Sequence, residues 1–172
     1  MKKFIPTWHA ENIYQIEIDF YLKNNIKFVF SDLDNTLDAY DVLSPSDDAK
    51  QLVNKMHENG IELIIISNNH SDRVKNYSNE LGVKCLHSAH KPFKKRLLKF
   101  LKIYEIDISN AIIIGDQTVT DIRCANNCKI KSILVDKLVE RDQKTTKFNR
   151  FFDKRIRKSL KNKNLLNEII KE

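Results

Sequence analysis

Apolar positions along the chain fall into short continuous runs, separated by stretches in which apolar residues recur at helical spacing. Residues 26–31, Ile-Lys-Phe-Val-Phe-Ser, form the first run and lead directly into a cluster of carboxylates. A buried parallel strand behaves this way when it delivers polar groups at its carboxyl end. Ser44-Pro45 followed by Asp47 reads as an N-cap, a proline at the first helical position and an acid in the first turn, with Gly60 as the stop. A helix of roughly three to four turns is predicted between them. Residues 61–66 predict a second buried strand. Ser71 is placed to cap a helix carrying Arg73, Val74 and Tyr77, and Gly82 closes that helix before a strand at 83–86. Lys91-Pro92 opens a further helix with Leu97, Leu98, Leu101 and Tyr104 at helical spacing. Residues 111–114 predict a fourth strand, 120–127 a short helix and 130–135 a fifth strand.

Strands that alternate with helices through short connections imply an α/β fold, a three-layer Rossmann-like sandwich around a mainly parallel sheet of about five strands. No internal repeat, low-complexity tract or linker interrupts it, so residues 1–172 read as a single domain. An N-terminal extension (1–25) with Ile13, Ile16, Ile18 and Phe20 is left as a lid, dimer contact or membrane anchor. A basic helical segment at 145–172 completes the chain.

An open parallel sheet binds ligands beyond the carboxyl ends of its strands. Polar clusters stand there: Asp32-Leu-Asp34-Asn-Thr36 after the first strand, Ser67-Asn68-Asn69 after the second, Lys91 after a loop following the third, and Gly115-Asp116 with Asp121 after the fourth. Strands with a purely structural role would be followed by ordinary turn residues. Taken alone, however, Asp32 and Asp34 could cap a turn, Ser67-Asn68 could be a helix cap, and Lys91 a surface lysine.

Composition narrows the picture. The chain has 172 residues, 41% of them hydrophobic, enough for one core. The first residues carry charge but no sustained apolar stretch of the secretory kind, and no run is long enough to span a bilayer, so a cytoplasmic protein is expected. Cys85, Cys124 and Cys128 offer no CxxC couple; Cys124 and Cys128 lie one helical turn apart, which leaves a metal or redox reading, but they read as core thiols in a reducing compartment. The five histidines (His9, His57, His70, His87, His90) lack metal-ligand spacing and read as loop or surface residues. A formal charge of +7, concentrated after Lys137, points to an anionic partner without choosing among phosphates, nucleic acid and acidic lipid. A solvated basic helix face explains the same charge.

The four clusters, in order, resemble the motifs of the haloacid dehalogenase superfamily: DxDxT, a motif-two serine, a motif-three lysine and GDxxxxD. More closely, DLDNTL, SNN, AHKP and GDQ-x-x-TD, with Thr145, Thr146, Asn149 and Arg150, resemble its YqeG branch in subclass IIIA, which includes the mitochondrial phosphatidylglycerophosphatases. The resemblance implies a phosphoric monoester hydrolase with Asp32 as covalent nucleophile, Asp34 as general acid and then base, and Lys91 as the fixed charge of the catalytic set. It implies a phosphate site at Thr36, Ser67, Asn68 and Lys91. It also implies Mg²⁺ held by Asp32, the backbone carbonyl of Asp34 and Asp116, with Asp121 acting through water or on Lys91.

Many such relatives carry a large cap domain between these motifs. Here one gap holds a loop and a helix, and the next a helix and a strand, so an open site is expected. That suits a phosphate presented by something large. The branch implies phosphatidylglycerophosphate, converted to phosphatidylglycerol, with peripheral contact at the inner face of an anionic membrane. Phe148, Phe152, Ile156 and Leu160 recur every four residues in the basic segment and would suit a membrane-lying helix, although such a stripe more commonly packs on its own domain. Two alternatives stand: a soluble phosphorylated metabolite, sugar phosphate or nucleotide, as substrate, and a basic RNA- or ribosome-associated binding protein. No RNA-binding motif with interleaved aromatics supports the latter, and no cysteine-rich loop of the kind carried by zinc-containing relatives is present.

Overall fold

A computed structural model describes residues 1–69, 72–139 and 147–169 of the chain, with the side chains of the last segment described from 149 onward. Ser71, Thr145, Thr146 and the Phe148 side chain lie outside the described residues. In chain order the elements are β1 (Trp8–Ala10), α1 (Ile18–Lys23), β2 (Phe28–Ser31), α2 (Asp47–Glu58), β3 (Glu62–Ile66), α3 (Asp72–Leu81), β4 (Lys84–Leu86), α4 (Lys95–Ile103), β5 (Ala111–Gly115), α5 (Arg123–Cys128), β6 (Lys131–Val135) and α6 (Lys147–Asn162). The strands form one parallel sheet in the order β1-β6-β5-β2-β3-β4.

Alternation within each strand divides the core into two layers, because successive side chains of a strand point to opposite faces. Val29, Leu63, Ile65, Ile112 and Ile114 face one layer with Tyr21, Leu52, Met56, Val74 and Tyr77. Phe30, Ile64, Ile66 and Ile113 face the other with Leu97, Phe100, Leu101, Cys124 and Cys128. The cysteines are free thiols, two of them buried, as core packing requires. Burial on both faces is why the strands read as unbroken apolar runs. The expected five strands are present. The sixth, β1, is three residues long and too short to show a period; it pairs with β6 at the sheet edge.

Two further elements depart from expectation. The α2 cap is Ser46, whose side chain accepts from the Ala49 N–H at 3.2 Å, so Pro45 precedes the cap instead of opening the helix. α4 begins at Lys95, which leaves Lys91-Pro92 in the loop before it; Leu98 and Tyr104 are exposed, and Phe100 takes their place in the core. α6 presents the anticipated stripe only in part: among its described side chains Asp153 and Leu160 are buried and Ile156 is half-buried, whereas Phe152 is exposed.

α6 packs across the carboxyl ends of β5 and β6 through polar contacts. Asp153 Oδ1 accepts from both the Thr118 N–H and hydroxyl at 2.6 Å. Arg157 donates from Nε to Asp153 Oδ2 (2.9 Å) and from Nη2 to the carbonyls of Asp116 (2.6 Å) and Val135 (2.7 Å). After α6 the chain returns to β1, where the His9 N–H bonds the Asn167 carbonyl (2.7 Å) and the Ile169 N–H bonds the His9 carbonyl (2.8 Å). The residues of the N-terminal extension are therefore built into the sheet and the first core layer, with Ile13, Ile16 and Ile18 buried. No helix among the described residues is long and apolar enough to cross a membrane.

His9 is a half-buried junction and not a plain surface residue: Nδ1 meets Glu168 at 2.8 Å and Nε2 meets Asp136 at 3.4 Å. The bond to Asp136 raises the imidazole pKa, burial opposes it, and Glu168 adds to the rise. A raised folded-state value favours charged histidine in the fold. Its stabilisation is complete below the ordinary histidine value near 6.5 and is lost as pH climbs through the folded value. We expect His9→Gln to cost about 0.5–1 kcal/mol in denaturant melts below about pH 6, the scale of solvent-screened pairs, and clearly less above about pH 8.

Candidate active site

The carboxyl end of β2 opens the site. The Asp32 N–H bonds the Ile114 carbonyl of β5 (2.9 Å), extending the ladder one residue past the strand and fixing the carboxylate in the cleft between β2 and β5. The chain then turns back: the N–H groups of Thr36, Leu37 and Asp38 all reach the Leu33 carbonyl, Asn35 takes a left-handed conformation (φ 64°), and Leu33 and Leu37 are fully buried. Asparagine tolerates that backbone better than most residues, which accounts for its place in DLDNTL. Asp38 is buried and accepts from the Tyr77 hydroxyl (2.5 Å) and the Ser46 N–H (3.0 Å); it holds the loop to α2 and α3.

Lys91 is the centre of the site. Its ammonium, fully enclosed, donates to Asp32 Oδ1 (2.7 Å), Asp121 Oδ1 (2.7 Å) and the Ile66 carbonyl (2.8 Å), satisfying its three N–H bonds. The Asn68 side chain grips the Lys91 backbone from both sides, accepting from its N–H at 2.6 Å and donating to its carbonyl at 2.9 Å. Ser67 is buried and its hydroxyl oxygen accepts from the Asn69 N–H (3.1 Å). Thr36 is buried too, with no hydrogen-bond partner for its hydroxyl among the described residues.

Behind β5, a π-helical turn at Thr118–Ile122 brings Asp121 back over Gly115. Asp121 Oδ2 accepts from the Gln117 N–H (3.1 Å), so both its oxygens are engaged. A Cβ added at Gly115 would lie 2.3 Å from Asp121 Cγ, which is why glycine precedes Asp116. Asp116 is fully buried. One of its oxygens, Oδ2, meets Arg150 Nη2 at 2.5 Å; the other, Oδ1, meets no donor among the described residues.

Asp32, Asp116 and Asp121 each offer a carboxylate oxygen within 4.8 Å of the others. Burial pushes the Asp32 carboxyl well above its usual range; Lys91 opposes this, and Asp121 and Asp116 add to it. Burial also pushes Asp116 up to about 7 against the pull of Arg150. For Lys91, burial works against the charge, but Asp121 and Asp32 hold its pKa above the ordinary value. An orphan oxygen on a buried carboxylate, beside a second carboxylate with an adverse desolvation balance, fits a hard divalent cation with oxygen ligands. Asp121 has both oxygens bonded, to Lys91 and to the Gln117 N–H, which makes Asp32 and Asp116 the side chains better suited to hold one.

Three arginines that sequence reasoning did not place in the site complete its charge pattern. Arg73, from the first turn of α3, donates to Asp34 Oδ1 (2.6 Å) and the Val42 carbonyl (2.8 Å). Arg150 and Arg157 reach in from α6. All three approach from helices, where the pattern of strand ends gives no signal. Arg150 stood in a stretch that the family resemblance had already marked.

A family model described as haloacid dehalogenase-like hydrolase matches residues 1–135, and the chain belongs to that family. It is an enzyme of the family's phosphatase type, a group that works with a divalent metal. Across 162 residues it is 33% identical to the protein named Probable phosphatase YqeG of Bacillus subtilis, covering 94% of each chain. Among solved structures it resembles the cobalt-bound deoxy-D-mannose-octulosonate 8-phosphate phosphatase YrbI of Haemophilus influenzae (17% identity, TM-score 0.50, 66% of this chain and 80% of that one). It also resembles the 3-deoxy-D-manno-octulosonate 8-phosphate phosphatase of Yersinia pestis (12%, TM-score 0.51, 71% and 79%). These two likenesses bear on the fold.

Gly115→Ala should displace Asp121 and loosen Lys91. We expect a loss of about 1–3 kcal/mol in stability from the overpacked turn, read by chemical denaturation, and a fall in phosphatase kcat of at least about tenfold. Unchanged turnover would mean that the Asp121–Lys91 contact does not matter to the reaction.

Proposed function

We propose that the chain is a Mg²⁺-dependent phosphomonoesterase that works through an aspartyl-phosphate at Asp32, with phosphatidylglycerophosphate as its substrate. The observation that carries the mechanism is the Asp32 carboxylate at the end of β2, fixed 2.7 Å from an enclosed Lys91 ammonium and beside the half-satisfied Asp116.

Asp32 attacks phosphorus as the ester P–O bond breaks, and Asp34 gives its proton to the departing alkoxide. A water then attacks the phosphoryl group on Asp32, returning a proton to Asp34 and releasing inorganic phosphate. Lys91 stays in place and neutralises charge on the phosphoryl oxygens, while Asp121 keeps it aimed. Ser67, Thr36 and the backbone amide of Asn68 donate to those oxygens; the Asn68 side chain locks the peptide of Lys91. Asp32 and Asp116, with the carbonyl of Asp34, would hold the cation, whose charge would offset the repulsion between an anionic nucleophile and an anionic ester. Arg73 fixes the position of Asp34 through Oδ1.

The lipid reading rests on what flanks the site. No cap domain separates the clusters, and exposed apolar side chains stand beside site residues: Leu43 (72% exposed) next to the Val42 that receives Arg73, Phe93 (72%) two residues after Lys91, and Phe151 and Phe152 immediately after Arg150. Exposed Lys94, Lys95 and Arg96 follow Phe93 along the chain, exposed Lys154, Arg155 and Lys158 follow Phe152, and Arg155 stacks on Phe151 at 4.4 Å. Exposed aromatics interleaved with cations suit the surface of an anionic membrane. A second reading, a soluble sugar phosphate, is favoured by what the two structural relatives are named for acting on.

Phosphate release from phosphatidylglycerophosphate in mixed micelles, beside a panel of soluble phosphomonoesters, tests both. We expect Mg²⁺-dependent turnover with a kcat/KM preference for the lipid, abolished by EDTA, and a loss of at least about 10³-fold in Asp32→Asn, which keeps the size of the side chain and removes the nucleophile. Preference for a soluble ester would move the substrate and keep the chemistry. Wild-type rates from Asp32→Asn would end the covalent mechanism.

A further inference from the structure

Asp34 is the least enclosed acid of the site. Its side chain is 21% exposed, against 10% for Asp32, 1% for Asp121 and none for Asp116. Openness suits a group that must meet a departing alkoxide and then a water. It also gives a short side chain a rotational freedom at odds with proton transfer, which depends on the donor oxygen lying within hydrogen-bond reach. Among the described residues, the side chain that holds it is Arg73, whose Nη1 donates to Asp34 Oδ1 at 2.6 Å.

Arg73 is itself fixed by the loop it serves. Nε donates to the Val42 carbonyl at 2.8 Å and Nη2 reaches the Ala39 carbonyl at 3.4 Å, so the guanidinium spans the loop that leaves Asp34. Four residues on, along the same side of α3, the Tyr77 hydroxyl donates to Asp38 in the same loop at 2.5 Å. α3 thus grips the acid loop at two points, one turn apart. The helix follows β3 and the Ser67-Asn68-Asn69 segment, so it joins the end of β3 to the loop at the end of β2.

The bond also distinguishes the two carboxyl oxygens. A guanidinium only donates, so Oδ1 accepts from it whether the carboxyl is charged or neutral. A proton on Asp34 is then confined to Oδ2. Arg73 does not need to touch substrate to matter, because it settles which oxygen of Asp34 carries the proton and where that oxygen points.

We propose that Arg73 is a positioning residue for proton transfer: it holds Asp34 by Oδ1 and so assigns Oδ2 as the oxygen that gives and takes the proton. In the first half-reaction the Oδ2–H bond breaks as the alcohol O–H forms and the ester P–O bond is lost. In the second, the attacking water gives a proton to Oδ2 while its oxygen bonds to phosphorus and the P–O bond to Asp32 breaks. The inference rests on the phosphatase reading and deepens it, tying the acid–base step to a residue of α3.

Leaving-group chemistry separates this role from simple support. kcat/KM is measured for full-length wild type, Arg73→Gln, Arg73→Lys, Asp34→Asn and the double variant of Arg73→Gln with Asp34→Asn. The substrates are phosphatidylglycerophosphate, glycerol 3-phosphate and glucose 6-phosphate as alkyl esters, and p-nitrophenyl phosphate, whose phenolate departs without a proton. Asp34→Asn should lose at least about 100-fold on the alkyl esters, and Arg73→Gln at least about tenfold. Both should stay within about threefold of wild type on p-nitrophenyl phosphate. In the Asp34→Asn background, Arg73→Gln should change the alkyl values by less than about threefold, since it acts through the residue already removed. Arg73→Lys, which keeps the charge and loses the fork, should fall between wild type and Arg73→Gln on the alkyl esters, and it carries the test if Arg73→Gln does not fold. Equal losses on alkyl and aryl esters in Arg73→Gln or in Asp34→Asn would overturn the proposal. So would wild-type alkyl values in the Arg73 variants, or a further loss of about tenfold when Arg73→Gln is added to Asp34→Asn. If wild type hydrolyses none of these esters, or Asp32→Asn hydrolyses them equally well, the phosphatase reading itself fails and the proposal falls with it.

Discussion

The ammonium of Lys91, closed off from water between Asp32, Asp121 and the Ile66 carbonyl, is the contact on which the remaining arrangement depends. A buried lysine is costly to desolvate and persists only where acceptors meet all its protons. Here those acceptors come from three strands. Asp32 directly follows β2, β3 supplies a carbonyl at its last residue, and the turn after β5 returns Asp121. The clamp of Asn68 on the Lys91 backbone sets the approach of the lysine, and a glycine at 115 makes space for Asp121. Removing any one of these leaves a charge enclosed without its partner, which is far more damaging than the loss of an exposed pair.

The remaining acids of the site each have a cation arriving from a helix. Asp34 has Arg73 from α3, and Asp116 has Arg150 from α6. The site is therefore not a bare acidic cluster waiting for metal, but a nearly balanced set of charges with a small negative excess at Asp32 and Asp116. α6 matters more than an appended basic helix would, because Asp153 and Arg157 tie it to the Thr118 turn and to the end of β6.

Much of this was legible in the sequence because parallel strands write themselves as unbroken apolar runs and deliver their chemistry at one end. Asp32, Ser67 and Asp116 could be located by that rule, since each stands where a buried strand ends, and Lys91 by its place in the loop after β4. Arg73 and Arg150 escaped it because they reach the site from helices, where long side chains cover a distance that spacing along the chain does not record. β1 escaped because three residues, Trp8–Ala10, are too few to show alternation. The regular Phe148, Phe152, Ile156, Leu160 pattern held only in part: Leu160 is buried and Ile156 half-buried, but Asp153 and Arg157 tie the preceding turns to the sheet through polar contacts, and Phe152 is exposed. Asp38 shows the converse, an acid next to the catalytic cluster whose partners, Tyr77 and Ser46, give it a structural place.

The central claim is that Asp32 becomes phosphorylated during turnover. The most direct measurement is rapid acid quench of the enzyme during steady-state hydrolysis, followed by peptide mapping of the acid-stable, base-labile phosphoryl adduct by mass spectrometry. The account predicts an adduct on the peptide containing Asp32, absent in Asp32→Asn and dependent on divalent cation. Turnover at the normal rate with no adduct, or with the phosphoryl group on another residue, would contradict it.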